Sequence, residues 1–234
     1  MNNGNRWSRF LSNADAHKLY DAVRYSYCIE RTLNRHLVIH WERAGVKSNV
    51  QRATTAFLKH AGDWMRHNPI GPLTYVWVLE NPPVSEDRFG GGLNVHIVIH
   101  VPDEWATEFR RRCDAWVRAS GGEVRPKVLR LGQVPKRRSF DSYDNLKKGI
   151  IGLLVYVFKG ADDTTCREFC ISHEPQGTIH GKRCGYSESL GPKRRHFPTT
   201  ALPRYPRIRV AGVRTRRGLF FDIAFWEVQV KRGE

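Results

Sequence analysis

The alternation of apolar and polar positions divides the chain into short segments of clear period. Thr74–Glu80 (TYVWVLE) and Leu93–Val101 (LNVHIVIHV) are the strongest strand signals, with β-branched and aromatic side chains at recurring alternate positions. Arg35–Trp41 (RHLVIHW) predicts a third strand. Glu123–Leu131 predicts a fourth at a sheet edge, because Pro126 lacks the amide hydrogen that a central strand uses. Leu19, Val23, Tyr27 and Cys28 recur at helical spacing and predict a helix over Ala14–Arg31. Ser48 caps a second helix that runs through Phe57, Leu58 and Trp64 to about Met65 and stops at Asn68-Pro69. Pro102-Asp103 opens a third, carrying Trp105, Phe109, Cys113, Trp116 and Val117 and closed by Gly121-Gly122. A further helix is predicted over Asp144–Lys159. Residues 160–205 read as loop-rich, and Arg207–Val213 with Leu219–Val230 as a final hairpin around Arg216-Arg217-Gly218.

Taken in order, residues 35–131 spell β-α-β-β-α-β. The expected fold class is α+β: a split β-α-β-β-α-β antiparallel sheet, ferredoxin- or RRM-like, with helices packed on it and a basic C-terminal extension. The expected organisation is an N-terminal helical segment over 1–33, a central domain over 34–160, and an extension over 161–234 packed on the same domain.

Composition narrows the class. With 40% hydrophobic and 11% aromatic residues over 234 positions, the chain has the makings of a sizeable core, which excludes disorder. No apolar run approaches the ~18 residues of a membrane helix. The polar start, Met1 to Phe10, has no secretory core, so the expected location is the cytoplasm. Five scattered cysteines fit a reducing compartment better than a disulfide framework. Cys166, Cys170, His173, His180 and Cys184 are a possible zinc set, but their spacing matches no paired C-x2-C pattern.

Charge changes the picture more. Thirty-nine lysines and arginines against 23 acids give a formal net charge of +16, and most of the excess lies after residue 117. A folded-type chain with this asymmetry is built to meet a polyanion, nucleic acid first and a membrane surface second. No basic amphipathic helix with a clean apolar face supports the membrane. The candidate phosphate contacts are Lys136-Arg137-Arg138, Lys182-Arg183, Lys193-Arg194-Arg195, and Arg214, Arg216 and Arg217.

Candidate chemistry sits on the two best strands. Asn94, His96 and His100 share one face of their strand, with neighbouring same-face positions ~7 Å apart. An antiparallel partner ending at Glu80 would bring a carboxylate beside Asn94 and His96. One carboxylate, one imidazole and one amide oxygen suit Mg²⁺ or Mn²⁺ better than a closed zinc site. On the later helix, Leu146, Ile150, Leu153, Leu154 and Val157 form an apolar face. Gly149, Gly152, Tyr156 and Lys159 fall on a narrow stripe beside it. Two glycines each cost that helix ~1 kcal/mol against alanine, which is consistent with a backbone approaching there or with close packing on the sheet.

The string from Trp77 through Pro102, with Glu80, a glycine-rich loop and NVHIVIHVP, resembles the metal-binding motif of HUH endonucleases. Tyr156-Val157-Phe158-Lys159-Gly160 resembles their Y-x-x-K nucleophile motif, and RHLVIHW looks like their first strand. Within that superfamily the chain is similar to rolling-circle replication initiators of bacterial plasmids and phages, over roughly residues 34–160. The resemblance implies metal-dependent nicking and joining of single-stranded DNA or an origin hairpin. Glu80, Asn94 and His96 would hold the metal, Tyr156 would form a 5′-phosphotyrosine, and Lys159 would assist it. One departure matters: the motif's histidine pair falls on residues 94 and 96, where this chain has Asn94 and His96. A shifted pair, His96 and His100, would restore two imidazoles at the expense of the geometry. An HUH transposase and a non-catalytic RRM-like nucleic-acid-binding protein are the other expectations; Tyr75 and Trp77 would be the latter's stacking residues.

Overall fold

The computed structural model describes residues 7–83, 91–134, 153–154, 156–169 and 171–196. Its elements in chain order are β1 (Trp7–Ser8), α1 (Asn13–Cys28), β2 (Arg35–His40), α2 (Val50–His67), β3 (Tyr75–Glu80), β4 (Asn94–Ile99), α3 (Ala106–Ala119), β5 (Leu129–Gln133), α4 (Asp163–Phe169), β6 (Ile179–His180) and β7 (Cys184–Tyr186). The architecture is α+β. Five antiparallel strands form one sheet in the order β5-β2-β4-β3-β7, and β1 pairs with β6 in a two-stranded sheet.

Strand alternation gives the sheet two apolar faces, and each is covered. Leu37 and Ile39 of β2, Trp77 and Leu79 of β3, and Val95, Ile97 and Ile99 of β4 pack against α2 and α3. Those helices answer with stripes at helical spacing, Phe57, Leu58, Ala61, Trp64 and Met65 from α2 and Phe109, Cys113, Trp116 and Val117 from α3. On the opposite face, Val76, Val78 and Val98 meet Leu19, Tyr20 and Val23 of α1, together with Leu154, Val157 and Phe158. With both faces covered, all six residues of β4 are buried. Phe57 is fully buried, with its ring 5.8 Å from that of Trp116 in a T-shaped pair. Phe57→Ala is expected to lower stability by about 3–5 kcal/mol, read as a shift in the urea midpoint.

Cap chemistry fixes several boundaries. Ser12 accepts from the Asp15 amide through its side chain and starts α1. Asn49, not Ser48, precedes α2. It sits at φ 55° in the left-handed region, which asparagine tolerates, and makes no side-chain cap bond. The expected strand over Glu123–Leu131 begins later, at Leu129. Lys127 has φ 68° and the Val128 amide bonds Arg125 O, so Pro126 lies in the turn that leads into the edge strand. The stretch read as loop-rich contributes α4, β6 and β7. β7 crosses Trp77 closely: a Cβ on Gly185 would lie 2.7 Å from the indole nitrogen. The Asp144–Lys159 helix falls partly outside the described residues, within which Leu153, Leu154, Tyr156 and Val157 are helical. The hairpin expected over 207–230 lies outside them altogether. Among the described residues, no helix is long and apolar enough to cross a membrane.

Candidate metal and nucleophile site

The register of the central strands assembles the site. Asn94 lies opposite Glu80 on β3 and His40 on β2; His96 lies one row further, opposite Val78 and Val38. Direct partners across an antiparallel pair share a face. Glu80, Asn94, His96, His36 and His40 therefore stand on the α1 side of the sheet, at the end α1 leaves uncovered. His96 Nε2 is 3.1 Å from Glu80 Oε2, and His96 Nδ1 is 3.0 Å from His36 Nε2. The two imidazole planes are inclined by only 18°, with centroids 5.2 Å apart.

Tyr156 and Lys159 come down on this row from the helical turn that follows Leu154. The Tyr156 ring makes T-shaped pairs with His96 at 5.4 Å and with His36 at 6.4 Å between centroids. It is 49% exposed, so its far side faces solvent. Lys159 Nζ lies 3.1 Å from Glu80 Oε2 and 3.8 Å from the centre of the Tyr156 ring. It thus bridges the carboxylate and the phenol. The turn is tied down beyond Lys159: the Glu174 amide bonds Lys159 O, the Leu11 amide bonds Gly160 O, and a Cβ on Gly160 would run into the Gln176 side chain.

Burial sets the electrostatics. Glu80 is 2% exposed, and burial works against its charge, but His96 and Lys159 hold its carboxyl below the usual carboxylate range. Burial, then the neighbouring His96 and Arg130, pushes His36 down to about 3, so it is neutral at pH 7. His40 is lowered by burial and by Arg43. Glu80 Oε1 is buried and has no hydrogen-bond partner among the described residues. It is the kind of orphaned oxygen that a cation satisfies. Asn94 Nδ2 donates to Gly92 O, which orients the amide. The carboxylate, the imidazole and the amide oxygen fit a hard divalent cation held with help from water or substrate oxygens. Among the described residues no group of three His, Cys, Asp or Glu side chains is placed to hold a metal, so the amide would be an integral part of the set.

The site opens into a cavity of about 750 Å³ whose wall includes Glu80, Asn94, His96, Tyr156 and Lys159 together with Arg43, Lys127 and Arg130. Those three cations, and His36 and His40, were not singled out from the sequence. The alternation of RHLVIH did place His36 and His40 on one face, but only the β2–β4 register puts that face beside His96.

The expected phosphate contacts divide. Lys182, Lys193 and Arg194 are exposed, with Arg194 paired to Glu188. Arg183 is a correction: its guanidinium is buried and donates to Ser8 O, Ser8 Oγ and Gly177 O, which ties β1 to the cavity rim. Arg195 is another: it donates to Leu190 O and Lys18 O, and its side chain is nearly buried. Lys136, Arg137, Arg138, Arg214, Arg216 and Arg217 lie outside the described residues. His100 is turned away from His96, its Nδ1 bonded to Thr32 O at the far end of β4, so the shifted pair does not form.

Among the described residues the zinc set is also not assembled. His173 Nδ1 donates to Ala161 O at 2.9 Å and is 3.8 Å from Cys166 Sγ; burial pushes the Cys184 thiol up to about 12. His180 is exposed on β6, and Cys170 lies outside the described residues. Comparison of the chain with protein-family models, with curated proteins and with solved structures finds no match.

Proposed function

We propose that this protein nicks and rejoins single-stranded DNA through a tyrosine nucleophile, as an HUH-type initiator of rolling-circle replication would, in a bacterial cytoplasm. The observation that carries the reading is the meeting of Tyr156 and Lys159 with Glu80, Asn94 and His96 at one end of the sheet. These two groups lie 60 to 79 residues apart in sequence and were read from separate motifs. The stretch β2-α2-β3-β4-α3-β5, read as a split β-α-β core extended by β7, supports it as well.

Tyr156 Oη would attack the phosphorus of a scissile phosphodiester. The bond from phosphorus to the 3′ oxygen breaks, leaving a 5′-phosphotyrosine and a free 3′-hydroxyl. The bond order at phosphorus is conserved, so the 3′-hydroxyl of the same or another strand can reverse the step without ATP. A phenol is a poor nucleophile until its proton leaves. Lys159, against the ring, would stabilise the anionic transition state by its charge. Arg43, Lys127 and Arg130 would neutralise flanking phosphates. A Mg²⁺ or Mn²⁺ held by Glu80, Asn94 and His96 would polarise a non-bridging oxygen of the scissile phosphate. A transposase would use the same groups and differ in its DNA. An RRM-like binding module fits less well, since Trp77 is buried under α2 and α3 and α1 covers much of the opposite face.

The test is incubation with Mn²⁺ and a pool of single-stranded oligonucleotides of randomised sequence, followed by a denaturing gel. A 3′-end label is expected to migrate with the protein and a 5′-end label to leave on a shortened strand. Absence of both products across the pool overturns the reading.

A further inference from the structure

We propose that His36 is a positioning residue that sets which ring nitrogen of His96 carries the hydrogen, and so whether His96 can offer a lone pair to a cation beside Glu80. The inference rests on reading Glu80, Asn94 and His96 as a divalent-cation site.

A hydrogen bond between two imidazole nitrogens 3.0 Å apart needs one hydrogen between them. Two arrangements satisfy this for a neutral pair. In one, His36 Nε2–H donates to His96 Nδ1. His96 then carries its hydrogen on Nε2 and donates it to Glu80 Oε2, and it has no lone pair directed at the cavity. In the other, His96 Nδ1–H donates to His36 Nε2, and His36 carries its hydrogen on Nδ1. His96 Nε2 is then a lone pair directed at Glu80 and the cavity. The two rings change state together, with the number of protons conserved. Only the second arrangement binds metal.

Apart from its ring contact with Tyr156, His36 touches the proposed ligand set through His96. It is not among the residues that line the cavity, and its Nε2 lies on the side of His96 away from Glu80. The two rings are near-parallel, which suits an in-plane nitrogen-to-nitrogen hydrogen bond, and each makes a T-shaped contact with Tyr156. Histidine ligands are generally fixed by a carboxylate, a carbonyl or water on the far nitrogen; here a second imidazole on the neighbouring strand does it. An imidazole differs from a carbonyl in that it can accept or donate, which allows two states.

The experiment uses the full chain with Mg²⁺, which is diamagnetic. Long-range proton–nitrogen spectra assign the tautomer of each histidine. On adding Mg²⁺ to the wild type, His96 and His36 are both expected to move to the Nδ1–H form, with only His96 Nε2 showing metal coordination. His36→Phe keeps a flat ring without nitrogen and is expected to weaken Mg²⁺ binding 10–100-fold by calorimetry. His36→Gln, whose amide oxygen can accept, is expected to recover most of that loss. Three outcomes overturn the proposal: a His36→Phe protein that binds Mg²⁺ as tightly as wild type, metal coordination at a His36 nitrogen, or unchanged tautomers on Mg²⁺ addition. The last needs no variant and stands even if His36→Phe fails to fold. A wild type that binds neither Mg²⁺ nor Mn²⁺ removes the cation site itself, and the positioning role with it. That result is distinct from a site that binds metal without need of His36.

Discussion

Tyr156→Phe is expected to abolish the covalent DNA adduct and to lower nicking at least about a thousandfold, since it removes the attacking oxygen of the proposed nucleophile. The substitution removes one oxygen and keeps the ring. The ring, which Phe retains, makes the T-shaped pairs with His96 and His36 and lies under Lys159 Nζ. The side chain is also half exposed. Stability should therefore change by no more than about 0.5 kcal/mol, and DNA affinity, set by the surrounding cations, should be nearly unchanged. The measurement pairs an adduct gel with fluorescence-anisotropy binding and a thermal melt. Loss of adduct with binding and melting intact is the expected result. A Phe variant that still forms the adduct would move the nucleophile to another tyrosine, Tyr143 among them. Loss of folding in the Phe variant would show instead that the hydroxyl is structural.

Which parts of this arrangement were legible in the sequence follows from how local each signal is. The strands carrying Val76, Val78, Val95 and Ile97 are written in alternation over a few residues. The helices bearing Phe57, Trp64, Phe109 and Trp116 are written in a 3.6-residue period. Alternation also says which residues share a face, so Asn94 with His96 was readable. It does not say which strands are neighbours. The proximity of His36 to His96 depends on β2 inserting beside β4, a contact across 60 residues. β7 was not readable because three residues, Cys-Gly-Tyr, carry no period; its place is decided by the close crossing over Trp77 that Gly185 permits. The start of β5 was misjudged because Val124 and Val128 suggest a strand, while the left-handed backbone at Lys127 turns the chain first. Basic clusters were legible as charge but not as contact. Arg183 and Arg195 look like their neighbours in sequence, yet each satisfies carbonyl oxygens of its own chain.

The amide at position 94 sets the second large expectation. Glu80 and His96 already supply a carboxylate and an imidazole, and Asn94 faces Glu80 across the β3–β4 pair. An amide oxygen is a weaker ligand than imidazole for Mn²⁺, so Asn94→His should tighten Mn²⁺ binding by about tenfold, or about 1.4 kcal/mol. It should raise nicking most where Mn²⁺ is scarce and little where it saturates. His96→Ala would remove the one nitrogen of the proposed ligand set and leave Glu80 with Lys159 as its ion-pair partner among the described residues, so Mn²⁺ binding and nicking should both disappear. Binding is also read without DNA, since a ligand at a hundredfold excess over its dissociation constant stabilises the native state by about 2.7 kcal/mol. The melting temperature of the wild type should therefore rise with Mn²⁺, that of Asn94→His should rise at lower Mn²⁺, and that of His96→Ala should stay flat. The decisive comparison is with His100→Ala. His100 is bonded to Thr32 O at the other end of β4, so its loss should leave the Mn²⁺ response intact. If His100→Ala removes that response and Asn94→His leaves it unchanged, the cation lies elsewhere on β4, and Glu80 is an acid paired with Lys159 and His96 for structural reasons alone.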